Sequence, residues 1–133
     1  MSWREFRPHG HVSFSLDGRI LTIEAEGPGN AELIHEYQQH MQAYRQQLQG
    51  AAWASLVIFN GESLLTPDAI QLVDEAVQTN RHYGMVATAV VVTDASCRTL
   101  VRQLWSSIYC QAGTVHQFFD TPEQARQWLL EKL

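Results

Sequence analysis

Apolar and polar residues alternate along residues 11–16 and again along 19–25, with Asp17-Gly18 between the two runs. A period of two is the pattern of a strand with one buried face. Asp-Gly suits a two-residue type I′ turn, because both central residues need positive φ. That turn predicts pairing of Leu16 with Arg19, Phe14 with Leu21 and Val12 with Ile23. The larger apolar side chains then share one face, Ser13, Ser15 and Thr22 take the other, and Ile20 is the exception.

After Gly27-Pro28-Gly29 the period changes. Asn30 is placed to cap a helix in which Leu33, Tyr37, Met41, Tyr44 and Leu48 recur every three or four residues, ending near Gly50. Residues 54–59 predict a short buried strand. Thr66-Pro67 reads as an N-cap with proline in the first turn of a second helix, which carries Ile70, Val73, Ala76 and Val77 and stops near Gly84. Residues 87–92 are apolar on both faces and predict another strand. Asp94 or Ser96 is placed to cap a third helix running to about Gln111, with Ala112-Gly113 beyond it. Residues 115–119 form the last strand. Thr121-Pro122-Glu123-Gln124 is a capping box that opens a final helix bearing Ala125, Trp128 and Leu129.

The predicted order is β-β-α-β-α-β-α-β-α, an α/β fold with a mostly parallel five-stranded sheet, an N-terminal antiparallel hairpin and helices packed on the sheet. Strands three and four lack alternation and belong in the centre, covered on both faces. The first strand belongs at an antiparallel edge. A single domain over residues 1–133 accounts for the pattern, with 1–9 as a loose tail. In such sheets ligands and partners meet the loops at the carboxyl ends of the parallel strands, here residues 60–65, 93–96 and Asp120-Thr121.

Composition narrows the function classes. The 133 residues are 45% apolar, enough for a packed core, and carry a net charge of −5, which argues against a nucleic-acid partner. Two cysteines, Cys97 and Cys110, are too few for a disulfide scaffold. The charged start lacks the apolar core of a signal peptide, and the longest near-continuous apolar run, residues 85–92 with Thr88 interrupting it, is far short of the ~20 residues of a membrane span. A cytoplasmic protein is expected.

The element order, the run Leu56-Val57-Ile58-Phe59 leading into Thr66-Pro67-Asp68-Ala69-Ile70, and the ending Phe118-Phe119-Asp120-Thr121-Pro122-Glu123-Gln124-Ala125 with Trp128-Leu129 resemble the bacterial STAS domains, and more closely their SpoIIAA-like relatives. In that family an Asp-Ser pair opens the second helix of anti-sigma-factor antagonists, and a partner kinase phosphorylates the serine. The matching positions here are Thr66, Pro67 and Asp68. The serine is missing, and Asp68 brings a permanent negative charge to the first helical turn, where the helix dipole favours it. The local reading of these residues is helix capping. The resemblance implies a regulatory module working through protein–protein contacts. SpoIIAA-like proteins are also similar in fold to lipid-carrying CRAL-TRIO domains, which implies an apolar ligand and peripheral membrane association as the alternative.

The third helix offers a surface for either role. At 100° per residue from Leu104, the expected core arc holds Cys97, Leu100, Val101, Leu104, Ile108 and Gln111. Trp105 and Tyr109 then fall near 100° and 140°, and Arg98 and Arg102 near 120° and 160°. Two arginines beside two large aromatics suit an anionic membrane surface or a protein contact, and Ile108 borders them. Packing of both aromatics beneath the last helix is the competing reading. A surface role predicts that Trp105→Ala with Tyr109→Ala leaves folding intact.

Catalytic and metal motifs are sparse. His9 and His11 lack a cysteine or carboxylate cluster, His35 and His40 are five apart on a helix and point to different sides, and His82 and His116 have no spaced companions. Cys97 opens a helix, where a thiolate is stabilised, yet sits on the expected core arc. No Gly-x-Ser-x-Gly elbow, P-loop or dinucleotide fingerprint occurs. No metal, cofactor or catalytic residue is expected, and a thiol-dependent enzyme ranks last among the readings.

Overall fold

The first hairpin turns on Gly18 and Arg19. A computed structural model, which describes residues 10–61, 63–94 and 96–133, places β1 at His11–Asp17 and β2 at Ile20–Glu26, with Asp17 paired to Ile20 and Leu16 to Leu21. The expected pairing of Leu16 with Arg19 is therefore displaced by two residues along β2. Gly18 has φ of 62° and is followed by a residue with negative φ, the arrangement of a type II′ turn rather than type I′. The reason lies in Arg19. Its guanidinium donates to the carbonyls of Leu48, Ala51 and Ala52, and its own carbonyl accepts from Ala54 N, so it ties the hairpin to the next strand. The observed pairing also sets Phe14 opposite Ile23 and turns Ile20 to the far face of the sheet, where it is buried.

Seven further elements follow: α1 (Ala31–Leu48), β3 (Trp53–Asn60), α2 (Pro67–His82), β4 (Met85–Val92), α3 (Arg98–Ala112), β5 (His116–Phe119) and α4 (Pro122–Lys132). The strand order is β1-β2-β3-β4-β5, antiparallel only between β1 and β2. Each parallel strand is added on the same side of its predecessor. Right-handed crossovers of that kind put every connecting helix on one face, so α1, α2 and α3 share a face and α4 alone covers the other. Strands β3 and β4 divide their side chains accordingly. Val57, Phe59, Val90 and Val92 meet α1–α3, while Leu56, Ile58, Ala89 and Val91 meet Ala125 and Leu129 of α4.

The helix caps follow the sequence in two places and depart from it in two. Asn30 Oδ1 accepts from Leu33 N at 3.0 Å, and Thr121 Oγ1 accepts from Gln124 N at 3.2 Å. Thr66 stands at the N-cap of α2 but makes no side-chain cap bond. At α3 the N-cap is Cys97, also without a cap bond. Asp94 instead accepts from the backbone and hydroxyl of Ser96 in the turn before it. The expected tail, residues 1–9, lies outside the described residues. No helix among the described residues is long and apolar enough to cross a membrane.

Candidate functional site

Helix α3 is rotated about its axis relative to the face its aliphatic residues predict. Val101, Trp105, Ile108, Tyr109 and Ala112 are buried, whereas Leu100 is 59% exposed and Gln111 faces solvent. The core direction lies about 80° from Leu104 at 100° per residue. The two aromatics decide this: each has more apolar area to bury than any leucine on the helix. Trp105 and Tyr109 are thus not an exposed flank. Nor do they lie beneath the last helix, since α4 occupies the opposite face of the sheet. The ring of Trp105 packs tilted against Phe59 with centroids 4.6 Å apart, and its Nε1 donates to Ser63 O at 3.2 Å. Arg98 and Arg102 separate from them. Arg98 Nε donates to Val92 O, while Arg102 lies over the Phe118 ring and 3.5 Å from Asp120.

Burial of the aromatics leaves a cavity of about 80 Å³ between the sheet and the three helices above it. Ile23, Ser55, Val57 and Phe59 form its floor, with Thr88 beside them. Leu33, Tyr37, Val77, Asn80, Trp105 and Tyr109 form its helical walls. Gly27, Gly29, Ser63 and Leu65 border it beyond the carboxyl ends of β2 and β3. This border is a short strap. Gly29 N donates to Leu64 O and Thr66 N to Gly29 O, both at 3.0 Å. A Cβ at Gly29 would stand 2.5 Å from Leu65 Cδ2, so the Leu65 side chain packs directly on the Gly29 backbone and would have to shift for any larger residue there.

The lining is mostly apolar, and its polar groups are few and specific. The Ser55 and Thr88 hydroxyls hydrogen-bond each other. Tyr37 Oη accepts from Asn80 Nδ2 at 3.1 Å, and Asn80 Oδ1 accepts from Arg45 Nε at 2.7 Å. Arg45 is buried behind this wall, and Nη2 also donates to Gln38 Oε1 at 2.6 Å and Ala76 O at 3.3 Å. Burial pushes the Tyr37 hydroxyl above its ordinary pKa despite the opposing pull of Asn80 and Arg45, and burial also lifts Tyr109. The same desolvation lowers Arg45. Ser63 Oγ is buried without a hydrogen-bond partner among the described residues.

The switch-position equivalents lie just beyond the strap. Thr66, Pro67 and Asp68 are all exposed. The nearby Thr66 hydroxyl foremost, with the backbone amides of Asp68 and Ala69, holds the Asp68 carboxyl below the usual carboxylate range. Cys97 is half-buried, with Sγ 3.7 Å from Gly61 O, and Cys110 is exposed. Among the described residues no group of three or more His, Cys, Asp or Glu side chains is arranged to hold a metal ion.

Sequence reasoning reached Trp105, Tyr109 and Ile108 but aimed the two aromatics outward, and it missed Tyr37, Asn80, Arg45 and Ser63 as a polar set. A signal was present. Arg45 falls four residues after Met41 and three before Leu48, inside the apolar stripe of α1, and Asn80 falls seven after Val73 on that of α2.

A strand order equal to the chain order, a hairpin at one edge and three helices on one face against a single helix on the other together define a class of α/β module. A crystal structure of an uncharacterised protein of the DUF3478 family from Shewanella loihica PV-4, with a SpoIIAA-like fold, matches this architecture. The TM-score is 0.65 over 91% of this chain and 94% of that one, at 13% sequence identity. The fold of this chain is SpoIIAA-like. No family model and no curated protein matches the sequence.

Proposed function

We propose that this chain is a binding module rather than an enzyme, and that it holds a small, largely apolar molecule in the cavity between the sheet and α1–α3. The observation that carries this reading is the cavity itself, a mostly apolar space into which a few fixed polar groups converge. The titratable side chains on its wall are Tyr37 and Tyr109, and burial keeps both protonated, which suits holding a ligand better than moving protons at neutral pH. At about 80 Å³ the cavity is smaller than the ~150 Å³ that admits benzene to an apolar site. Occupancy by anything larger moves the half-buried Leu65 or Tyr37 outward.

Titration of the isotope-labelled chain with benzene, followed by amide shifts, tests this. Saturable shifts at Val57, Val77 and Tyr109 are expected. Ala76→Leu fills the space and abolishes them. No saturable shift in the folded wild-type chain overturns the reading.

A regulatory protein contact is a second reading, favoured by one connection. Leu65 lines the cavity and is followed directly by the exposed Thr66-Pro67-Asp68 segment. A ligand that displaces Leu65 thereby alters the surface a partner meets. The membrane-surface variant loses its anchors, because Trp105 and Tyr109 are buried.

A further inference from the structure

Arg45 is 2% exposed and has no carboxylate partner among the described residues. A guanidinium only donates hydrogen bonds, so the Asn80 atom facing it is the carbonyl oxygen. That fixes the amide, whose nitrogen donates to the Tyr37 oxygen. With its oxygen accepting, Tyr37 directs its own proton away from Asn80, and that proton makes no hydrogen bond among the described residues. The second proton on Asn80 Nδ2 is likewise unanswered. Tyr37 and Asn80 both line the cavity. A buried positive charge therefore stands beside two side chains that line an apolar space and still have protons to donate. Ser63, whose buried hydroxyl has no partner among the described residues, lines the same space. Buried polar groups are seldom left unpaired, so polar groups with unused hydrogen-bonding capacity along one cavity suit a ligand with a polar end.

We infer that the cavity selects a small monocarboxylate with an apolar body, its carboxylate received by the Tyr37 hydroxyl and the Asn80 amide and balanced by Arg45 behind them. This rests on the cavity being a ligand site and names the class of ligand. A carboxylate accepts both donors and supplies the charge that the guanidinium lacks. An alkylamine meets the same charge with the wrong sign, and a hydrocarbon leaves both donors empty.

Amide-shift titration of the full chain at pH 7 with butyrate, butanol, butylamine and benzene separates the possibilities. Butyrate is expected to bind at least about tenfold more tightly than butanol, the worth of a hydrogen bond to a charged group, and butylamine not at all. Tyr37→Phe removes the donor and keeps the ring. Asn80→Asp gives Arg45 an internal carboxylate and keeps α2 anchored. Each is expected to erase the preference for butyrate while benzene still binds. Equal affinity for butyrate and butanol, benzene binding without butyrate binding, or a butyrate preference that survives Asn80→Asp overturns the carboxylate assignment and leaves the cavity reading standing. No saturable shift with any of the four probes overturns both.

Discussion

Trp105 on α3 donates its indole proton to the carbonyl of Ser63, 42 residues earlier in the chain, at 3.2 Å. The bond closes the loop after β3 over the cavity and holds the ring against Phe59. Trp105→Ala thus removes a packed aromatic and leaves a buried carbonyl unpaired, at an expected cost of about 3–5 kcal/mol. Tyr109→Phe removes only a hydroxyl that makes no hydrogen bond among the described residues, and is expected to change stability by less than ~1 kcal/mol. Urea unfolding of the two variants checks the contrast. A Trp105→Ala chain as stable as wild type would return this residue to the surface.

The Arg45–Asn80 contact predicts an asymmetry. Asn80→Ala strips a buried guanidinium of its side-chain acceptor on α2, and losing a hydrogen bond to a buried charged group in this way is expected to cost about 1.5–3 kcal/mol. Arg45→Met removes the charge and leaves only neutral acceptors unanswered, and is expected to be milder. Matched chemical denaturation of the two variants is the measurement, and a larger loss in Arg45→Met contradicts the account.

The caps differ in worth. Asn30→Ala and Thr121→Ala each remove an observed bond to a helix amide and are expected to cost ~1 kcal/mol. Thr66→Ala removes none at pH 7 and is expected to cost less than either. Thermal melts of the three single variants check the order.

Acid behaviour follows from Asp68 and Asp94. The Thr66 hydroxyl foremost holds the first, and the Ser96 hydroxyl and amide hold the second, below the usual carboxylate range. A folded-state pKa below the unfolded value stabilises the fold fully above about pH 4, and that contribution is lost as pH falls through the lower, folded values. Urea midpoints between pH 7 and pH 3 are expected to fall less steeply in Asp68→Asn and Asp94→Asn than in wild type.

Much of the architecture was legible because strands and helices alternate with different periods. The largely apolar runs of β3 and β4, each covered on both faces, read directly as central strands. The hairpin register was not legible. Asp17-Gly18 favours one turn, and the carbonyls that Arg19 caps lie some 30 residues away, where no local pattern shows them. The orientation of α3 failed for a related reason. Weighting aliphatic residues put Leu100 and Leu104 at the centre, and only the arrangement of α2 and the sheet reveals that two aromatics claim the inner face. Arg45 and Asn80 were visible as polar interruptions of apolar stripes. What they meet depends on how α1 and α2 pack together, which sequence periodicity alone does not give.

The lone helix on the far side of the sheet has a consequence for biogenesis. Strands that pair in the order in which they are made can assemble while the chain is still being synthesised, but Ile20, Leu56, Ile58 and Val91 stay bare until α4 emerges after all five strands. A nascent chain at that stage presents a sticky half-finished sheet, so a ribosome that stalls before residue 122 releases a product prone to clump rather than a shorter working module.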